Sequence, residues 1–214
     1  GMGRLIAPDL IGQGDSDKLP ESGPGSYRFG EHREYLDALL EELGGRRNVT
    51  LVIHDWGSAL GMRYARLNSD NVTAMAFMEA IVPPGMPAPS YEAMGPQIGE
   101  LFKALRTPGV GEEMVLKGNF FVEKVLAEMG VVRDLSEAEM EVYRAPYATE
   151  QSRLPTLQWP REIPISGKPE AATDAVTQNG AWLMSSEIPK LLFYAEPGAL
   201  MPQPVVDYLT AHLT

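Results

Sequence analysis

The segment Ile53-His54-Asp55-Trp56-Gly57-Ser58-Ala59 gathers the residues best suited to chemistry. An apolar run ends at Ile53, an acid follows shortly after, and small residues then open a helical pattern. This is the layout of a nucleophile elbow, a tight strand-to-helix turn that exposes one side chain at the C-terminal edge of a sheet. The exposed group is here the carboxylate of Asp55. In water a carboxylate is a weak nucleophile. Oriented and stripped of water, it attacks carbon and forms an ester, dividing one displacement into two easier steps. Small residues at Gly57, Ser58 and Ala59 fit a turn where strand and helix nearly touch. Asp55 has a second reading, because Asp is a frequent N-cap and a helix begins beside it. On position alone the two readings are level. Trp56 favours the first: an aromatic after a cap has no capping role, whereas an indole N–H beside a nucleophile donates to a departing anion. Ordinary packing is the alternative for Trp56.

The elements around this turn alternate. Arg4 to Ala7 is a strand-like run broken by Pro8 and the Gly12/Gly14 turn. Apolar spacing at Tyr35, Leu36, Leu39, Leu40 and Leu43 predicts an amphipathic helix over Glu31 to Leu43, stopped by Gly44-Gly45. Val49 to Ile53 is apolar on both faces, as a buried parallel strand should be, and Val72 to Met78 reads the same way. Ser58 to Leu67 lies between them as a helix. This rhythm predicts a parallel sheet with crossover helices. From about Pro83 to Pro189 the pattern turns proline-rich and then helical, as over Ser136 to Tyr143, with no convincing buried strand. Lys190 to Ala195 restores a strand and Val205 to Leu213 a helix. The expected fold class is α/β, with residues 1–84 and 189–214 forming the core and 85–188 a helical insertion.

Composition bounds the function. The chain has 214 residues, with 18 basic and 29 acidic side chains, for a net charge of −11. With 44% hydrophobic and 22% charged residues, it has the balance of a globular chain. No basic stripe is present to neutralise phosphates, which argues against nucleic acid or an anionic membrane as partner. There are no cysteines, so disulfides, thiolate metal sites and a Cys nucleophile are excluded, in keeping with a reducing cytoplasm. No apolar run approaches the roughly 18–20 residues that span a bilayer. Gly1-Met2 reads as the remnant of a tag before a start methionine. Gly12-Gln-Gly-Asp-Ser-Asp17 lacks the GK[ST] of a phosphate loop and reads as a turn. Glu112, Glu113, Glu137, Glu139 and Glu141 read as solvated helix faces, and Met75, Met78, Met114 and Met129 as core filler.

The chain resembles the haloalkane dehalogenases, α/β-hydrolase enzymes that cleave carbon–halogen bonds. The resemblance is carried by Arg4-Leu-Ile-Ala-Pro-Asp-Leu-Ile-Gly-Gln-Gly-Asp-Ser-Asp-Lys18, His54-Asp-Trp-Gly-Ser-Ala-Leu-Gly61, Phe77-Met-Glu-Ala80, Trp159-Pro-Arg-Glu-Ile-Pro-Ile165, Ile188-Pro-Lys-Leu191 and Ala195-Glu-Pro-Gly-Ala-Leu200. They lie in the family's order over nearly the whole chain. The resemblance implies Asp55 as nucleophile, Trp56 as one halide-stabilising residue, and Glu79 as the acid that orients a catalytic histidine. Without it, Glu79 would read as a solvated loop acid. It also implies that the helical insertion is a cap over an apolar pocket, with Phe120, Phe121, Leu154 and Trp182 as pocket-side or core residues. The implied partners are a small hydrophobic halogenated substrate, water and the halide product, without metal or organic cofactor.

Two expected family features find no match. One is an N-terminal His-Gly-Asn-Pro-type loop that supplies a second halide ligand. The other is a histidine-bearing loop after a final strand. His32 reads as a surface residue at the start of an exposed helix, His54 as turned away from its neighbour by strand alternation, and His212 as part of a helix. The expectation is therefore a dehalogenase impaired in turnover. Exposed sheet edges at Arg4 to Ala7 and Lys190 to Ala195 are expected to drive self-association. The rival readings are an epoxide hydrolase, for which Tyr143 and Tyr147 would be the cap proton donors, and an inactive fragment that binds hydrophobic ligands or assembles.

Overall fold

The buried residues form two groups along the chain: one is dominated by aliphatic side chains, and the other mixes Leu105, Val115 and Leu157 with Tyr27, Phe29 and the polar His32, Asn119 and Glu162. The computed structural model describes residues 3–44 and 47–213. Gly1, Met2 and Gly45, on which the tag remnant and half of the helix stop were read, lie outside them. The elements run α1 (Phe29–Glu42), β1 (Val49–Asp55), α2 (Trp56–Leu67), β2 (Val72–Ala80), α3 (Pro96–Arg106), α4 (Val110–Glu112), α5 (Glu137–Arg144), α6 (Leu154–Glu162), α7 (Glu170–Ser185), β3 (Lys190–Phe193) and α8 (Gln203–His212). Wider π-type turns occupy Glu113–Lys117 and Phe121–Gly130. Two compact units result, Gly1–Leu36 with Glu100–Glu162, and Asp37–Gly99 with Ile163–Thr214.

The second unit holds a three-stranded parallel sheet in the order β1-β2-β3. Strand parity decides its two faces. Leu51, Ile53, Met75, Phe77 and Leu192 pack into one apolar core with Met62, Ala65, Leu183, Val206 and Leu209 from α2, α7 and α8. The opposite face carries the rows Val52–Ala76–Leu191 and His54–Met78–Phe193. Val52 is 69% exposed, Leu191 54% and Phe193 50%. This corrects the expectation that Val49 to Ile53 is buried on both faces. Its sequence is apolar on both sides, but the helices of this unit cover only one. Arg4 to Ala7 is not a strand either: its backbone pairs with no strand among the described residues, and Leu5 is 91% exposed. Among the described residues the sheet edges are β1 and β3.

Helix α2 approaches β1 closely at Gly61, where an added Cβ would sit 2.7 Å from Ile53 Cγ2. At Gly57 a Cβ would meet nothing within 4 Å. The close approach expected of the elbow's small residues is thus made one turn further along. Asn179 of α7, fully buried, donates from Nδ2 to the Ala59 carbonyl at 2.8 Å and fixes the first turn of α2.

In the first unit, Leu105, Val115 and Leu157 form a core joined by Phe120 and Phe121. Helix α5 begins with a capping box in which Ser136 and Glu139 satisfy each other's backbone N–H. The turn at 12–17 closes on Asp9, whose Oδ2 accepts from the Asp15 N–H at 2.9 Å and whose carbonyl accepts from Ser16 Oγ at 2.7 Å. Contrary to its expected surface position, His32 is fully buried and stacked on Trp159. The helix face it occupies is polar in type but closed off by aromatic rings. Met75 and Met114 pack as core filler, whereas Met129 is exposed.

Candidate active site

Strand β1 delivers Asp55 to the C-terminal edge of the sheet, where the backbone turns at φ 46°, ψ −127°. A positive φ at a residue bearing a Cβ costs of order 1–3 kcal/mol and persists only where surrounding structure enforces it. Asp55 holds the position before α2 but makes no side-chain bond to the helix's cap amides. The N-cap reading therefore fails. The backbone N–H of Trp56, at the start of α2, acts on the carboxylate and favours its charged form. Trp56 is buried at the first position of α2.

Glu79 reaches the same edge one strand over. The β1–β2 register slips there: His54 pairs with Met78 and Asp55 with Ala80, which leaves Glu79 without a counterpart. Glu79 also has positive φ, at 41°. Such a slip re-aims a side chain that strict alternation would send elsewhere. Its Oε2 accepts from three successive backbone N–H groups, Ala199 at 2.9 Å, Leu200 at 2.5 Å and Met201 at 3.2 Å. Its Oε1 is buried with no partner among the described residues. One oxygen anchors the side chain and the other keeps its acceptor capacity.

Electrostatics link the two acids. Burial, the dominant cause, raises the Asp55 carboxyl above the ordinary aspartate value, and the like charge of Glu79 pushes the same way. The neighbouring His54 and the Trp56 N–H oppose that rise. The result is a desolvated carboxylate beside a buried indole, suited to attack an apolar electrophile and poorly suited to phosphate or other anions.

Asp55, Trp56 and Glu79 therefore come together within the sheet-bearing unit. Trp182 lies in that unit too, packed against the core under the sheet. Phe120, Phe121 and Leu154 belong to the helical unit. The two phenylalanines meet edge to face, ring centroids 5.6 Å apart, on the Leu105–Val115–Leu157 core. Leu154 opens α6 and lines a small cavity with Leu116 and Leu157. Among the histidines, His54 is exposed on the open sheet face. His212 lies on the exposed face of α8, stacked on Tyr208 with Nδ1 2.7 Å from its carbonyl. Tyr147 donates its hydroxyl hydrogen bond to Gln13. The amides of Ala199 to Met201 and the side chain of Ser58 escaped the sequence reading. The first had a usable signal, a Gly- and Pro-containing loop after a parallel strand, where such sheets place their sites.

Residues 4–214 match the family described as the alpha/beta hydrolase fold. The chain is 50% identical over 209 residues to a haloalkane dehalogenase of Sphingobium indicum, covering 97% of this chain and 69% of that protein. It is 44% identical to a haloalkane dehalogenase of Mycolicibacterium smegmatis, covering 94% of this chain and 63% of the relative. Among solved structures, a putative ancestral haloalkane dehalogenase superimposes with TM-score 0.87 at 45% identity, covering 97% of this chain and 70% of the other. The haloalkane dehalogenase DbeA from Bradyrhizobium elkani superimposes with TM-score 0.85 at 44% identity, with coverages of 97% and 68%. A parallel sheet with an uncapped acid at its strand-to-helix elbow, and relatives of this kind along nearly its whole length, place the chain in the haloalkane dehalogenase family of the α/β-hydrolase fold.

Proposed function

We propose that the chain cleaves carbon–halogen bonds, with Asp55 as the nucleophile. An Asp55 carboxylate oxygen forms a bond to the halogen-bearing carbon as the carbon–halogen bond breaks, and the electron pair leaves with the halide. The Trp56 indole N–H stabilises the departing anion, and the helical segments inserted between β2 and β3 act as an apolar cap. The observation that carries this reading is the elbow itself: an aspartate held in a left-handed turn, desolvated, and not engaged in capping the helix it precedes.

The ester must then be hydrolysed by water that a base has activated. The unpartnered Oε1 of Glu79 is suited to accept an imidazole N–H and orient such a base. The chain's own histidines are committed elsewhere: His32 is buried against Trp159, His54 lies on the open sheet face, and His212 is bonded within α8. This supports a polypeptide that alkylates itself readily and hydrolyses the ester slowly. The open apolar sheet face and the edges of β1 and β3, unpaired among the described residues, support self-association as well.

The test is halide release from 1-bromobutane or 1,2-dibromoethane by the 214-residue chain, with Asp55→Asn as control and intact mass measured in parallel. One halide per chain, with one alkyl group gained and none on the variant, is the expected result. A folded sample that releases no halide and gains no mass overturns the nucleophile assignment. Sustained turnover lost in Asp55→Asn retains Asp55 but overturns the slow second step.

A further inference from the structure

Ser58 occupies the third position of α2 and is fully buried. Its Oγ donates to the Asp55 carbonyl at 2.5 Å and accepts from the Ile81 N–H at 2.9 Å. A hydroxyl has one proton to give, so with that proton on Asp55 its lone pairs face Ile81, and its orientation is determined. The two partners matter. Asp55 is the left-handed residue of the elbow. Ile81, also fully buried, follows β2 two residues after the left-handed Glu79, where the strand ladder no longer satisfies its amide. A buried backbone N–H is rarely left unpaired, so this contact also holds the Glu79 strand end to the elbow.

We infer that Ser58 is a positioning residue whose hydroxyl clamps the Asp55 turn to the strand end that carries Glu79, fixing the direction in which the Asp55 carboxylate attacks. The inference rests on the reading of Asp55 as nucleophile. Anchoring of α2 alone does not require Ser58, because Asn179 already ties the Ala59 carbonyl and Gly61 seats the helix on Ile53. What Ser58 adds is a bridge from one left-handed turn to the other.

The experiment measures single-turnover alkylation of the full chain by 1-bromobutane across substrate concentration, in wild type, Ser58→Ala, Ser58→Thr and Asn179→Ala. Displacement of a reacting group by about 1 Å can cost on the order of 100-fold in rate. Ser58→Ala is expected to lower the saturating rate roughly 10- to 100-fold while the half-saturating concentration changes by less than about threefold. Ser58→Thr, which keeps a hydroxyl able to reach the carbonyl three residues back, is expected to recover part of the rate. Asn179→Ala removes a hydrogen bond of similar burial from the same helix; it is expected to lower the melting temperature and leave the saturating rate within about threefold. A folded Ser58→Ala that alkylates at the wild-type rate overturns the inference, as does an equal loss of rate in Asn179→Ala.

A second readout needs no turnover. The Asp55 carboxyl titration is followed by carbon-13 NMR with and without Glu79→Gln, in each of the same backgrounds. The effect of Glu79→Gln on the Asp55 midpoint is expected to persist in Asn179→Ala and to shrink in Ser58→Ala, because the two acids are then no longer held together. An unchanged effect in Ser58→Ala overturns the inference. A wild-type chain that fails to alkylate removes the nucleophile reading, and this titration still decides whether Ser58 holds the two turns together. Should Ser58→Ala fail to fold, Ser58→Cys, with a thiol that donates and accepts only weakly, reads the same loss in graded form.

Discussion

The imidazole of His32 lies against the indole of Trp159, with ring centroids 4.1 Å apart and planes inclined by 13°, and neither ring nitrogen meets a hydrogen-bond partner among the described residues. Burial lowers its pKa from 6.5 to about 4, against a weaker opposing effect of the Tyr27 backbone. The nearby acids are engaged: Glu162 accepts from the Phe29 N–H and Gln158, and Glu31 from the Tyr27 N–H. Between pH 6.5 and about 4 the unfolded chain binds a proton that the folded chain refuses, so stability falls as pH drops through that window and levels off below it. The loss attributable to His32 is on the order of 3 kcal/mol. Urea unfolding of His32→Phe, which keeps an aromatic ring on Trp159, is expected to show a shallower decline over the window. Parallel declines would show that His32 does not carry the effect.

With Asp55 as the proposed nucleophile, its raised pKa is expected to set the pH dependence of alkylation. Only the carboxylate attacks, so the rate is expected to fall with decreasing pH at a midpoint above the ordinary aspartate value of 3.8. Glu79→Gln removes a like charge and should move that midpoint down; His54→Gln removes a cation and should move it up. The same linkage says that ionised Asp55 burdens the fold once pH rises through its folded pKa. Asp55→Asn is therefore expected to melt above wild type at pH 7, by about 2–4 °C for each kcal/mol relieved, and the gain should vanish below the unfolded pKa. Calorimetry at two pH values checks this.

Gly57 and Gly61 should respond oppositely to alanine. At Gly57 a methyl group meets nothing within 4 Å, so Gly57→Ala is expected to stabilise α2 by up to about 1 kcal/mol. At Gly61 the same methyl would lie 2.7 Å from Ile53, so Gly61→Ala is expected to cost about 1–3 kcal/mol. Partial rescue by Ile53→Val would locate the clash, and thermal melts of the four proteins decide it.

The face bearing Val52, Leu191 and Phe193 predicts association of copies of this chain. Sedimentation velocity at micromolar concentration is expected to show dimers or larger species. Threonine at all three positions, which keeps β propensity and removes apolar area, should shift the distribution toward monomer. A monomeric wild-type chain would contradict the expectation.

Most of the elements near the site were legible because their periodicities are local properties. Helices α1, α2 and α5 and strands β1 and β2 lie within a few residues of the expected spans. Burial was less legible, because it depends on which layers pack where. Val52 reads as core by composition and is exposed, while His32 reads as surface by residue type and is buried. Arg4 to Ala7 has strand composition, but a strand exists only through a partner. At the site, the turn at Asp55 was visible in the spacing of small residues, whereas the hydroxyl bridge of Ser58 and the three amides on Glu79 join positions far apart in sequence, which spacing cannot report.

The slip at Glu79 has an evolutionary corollary. Because Asp55 reaches the sheet edge by counting residues along a pleated strand and meets Glu79 only across that slip, losing or gaining one residue within β1 would turn the carboxylate of Asp55 toward the opposite face. Point substitutions along these strands can be absorbed one at a time, but insertions and deletions there act as all-or-none changes to the chemistry. Variation in length should therefore accumulate in the connections between elements, and almost never between Val49 and Asp55.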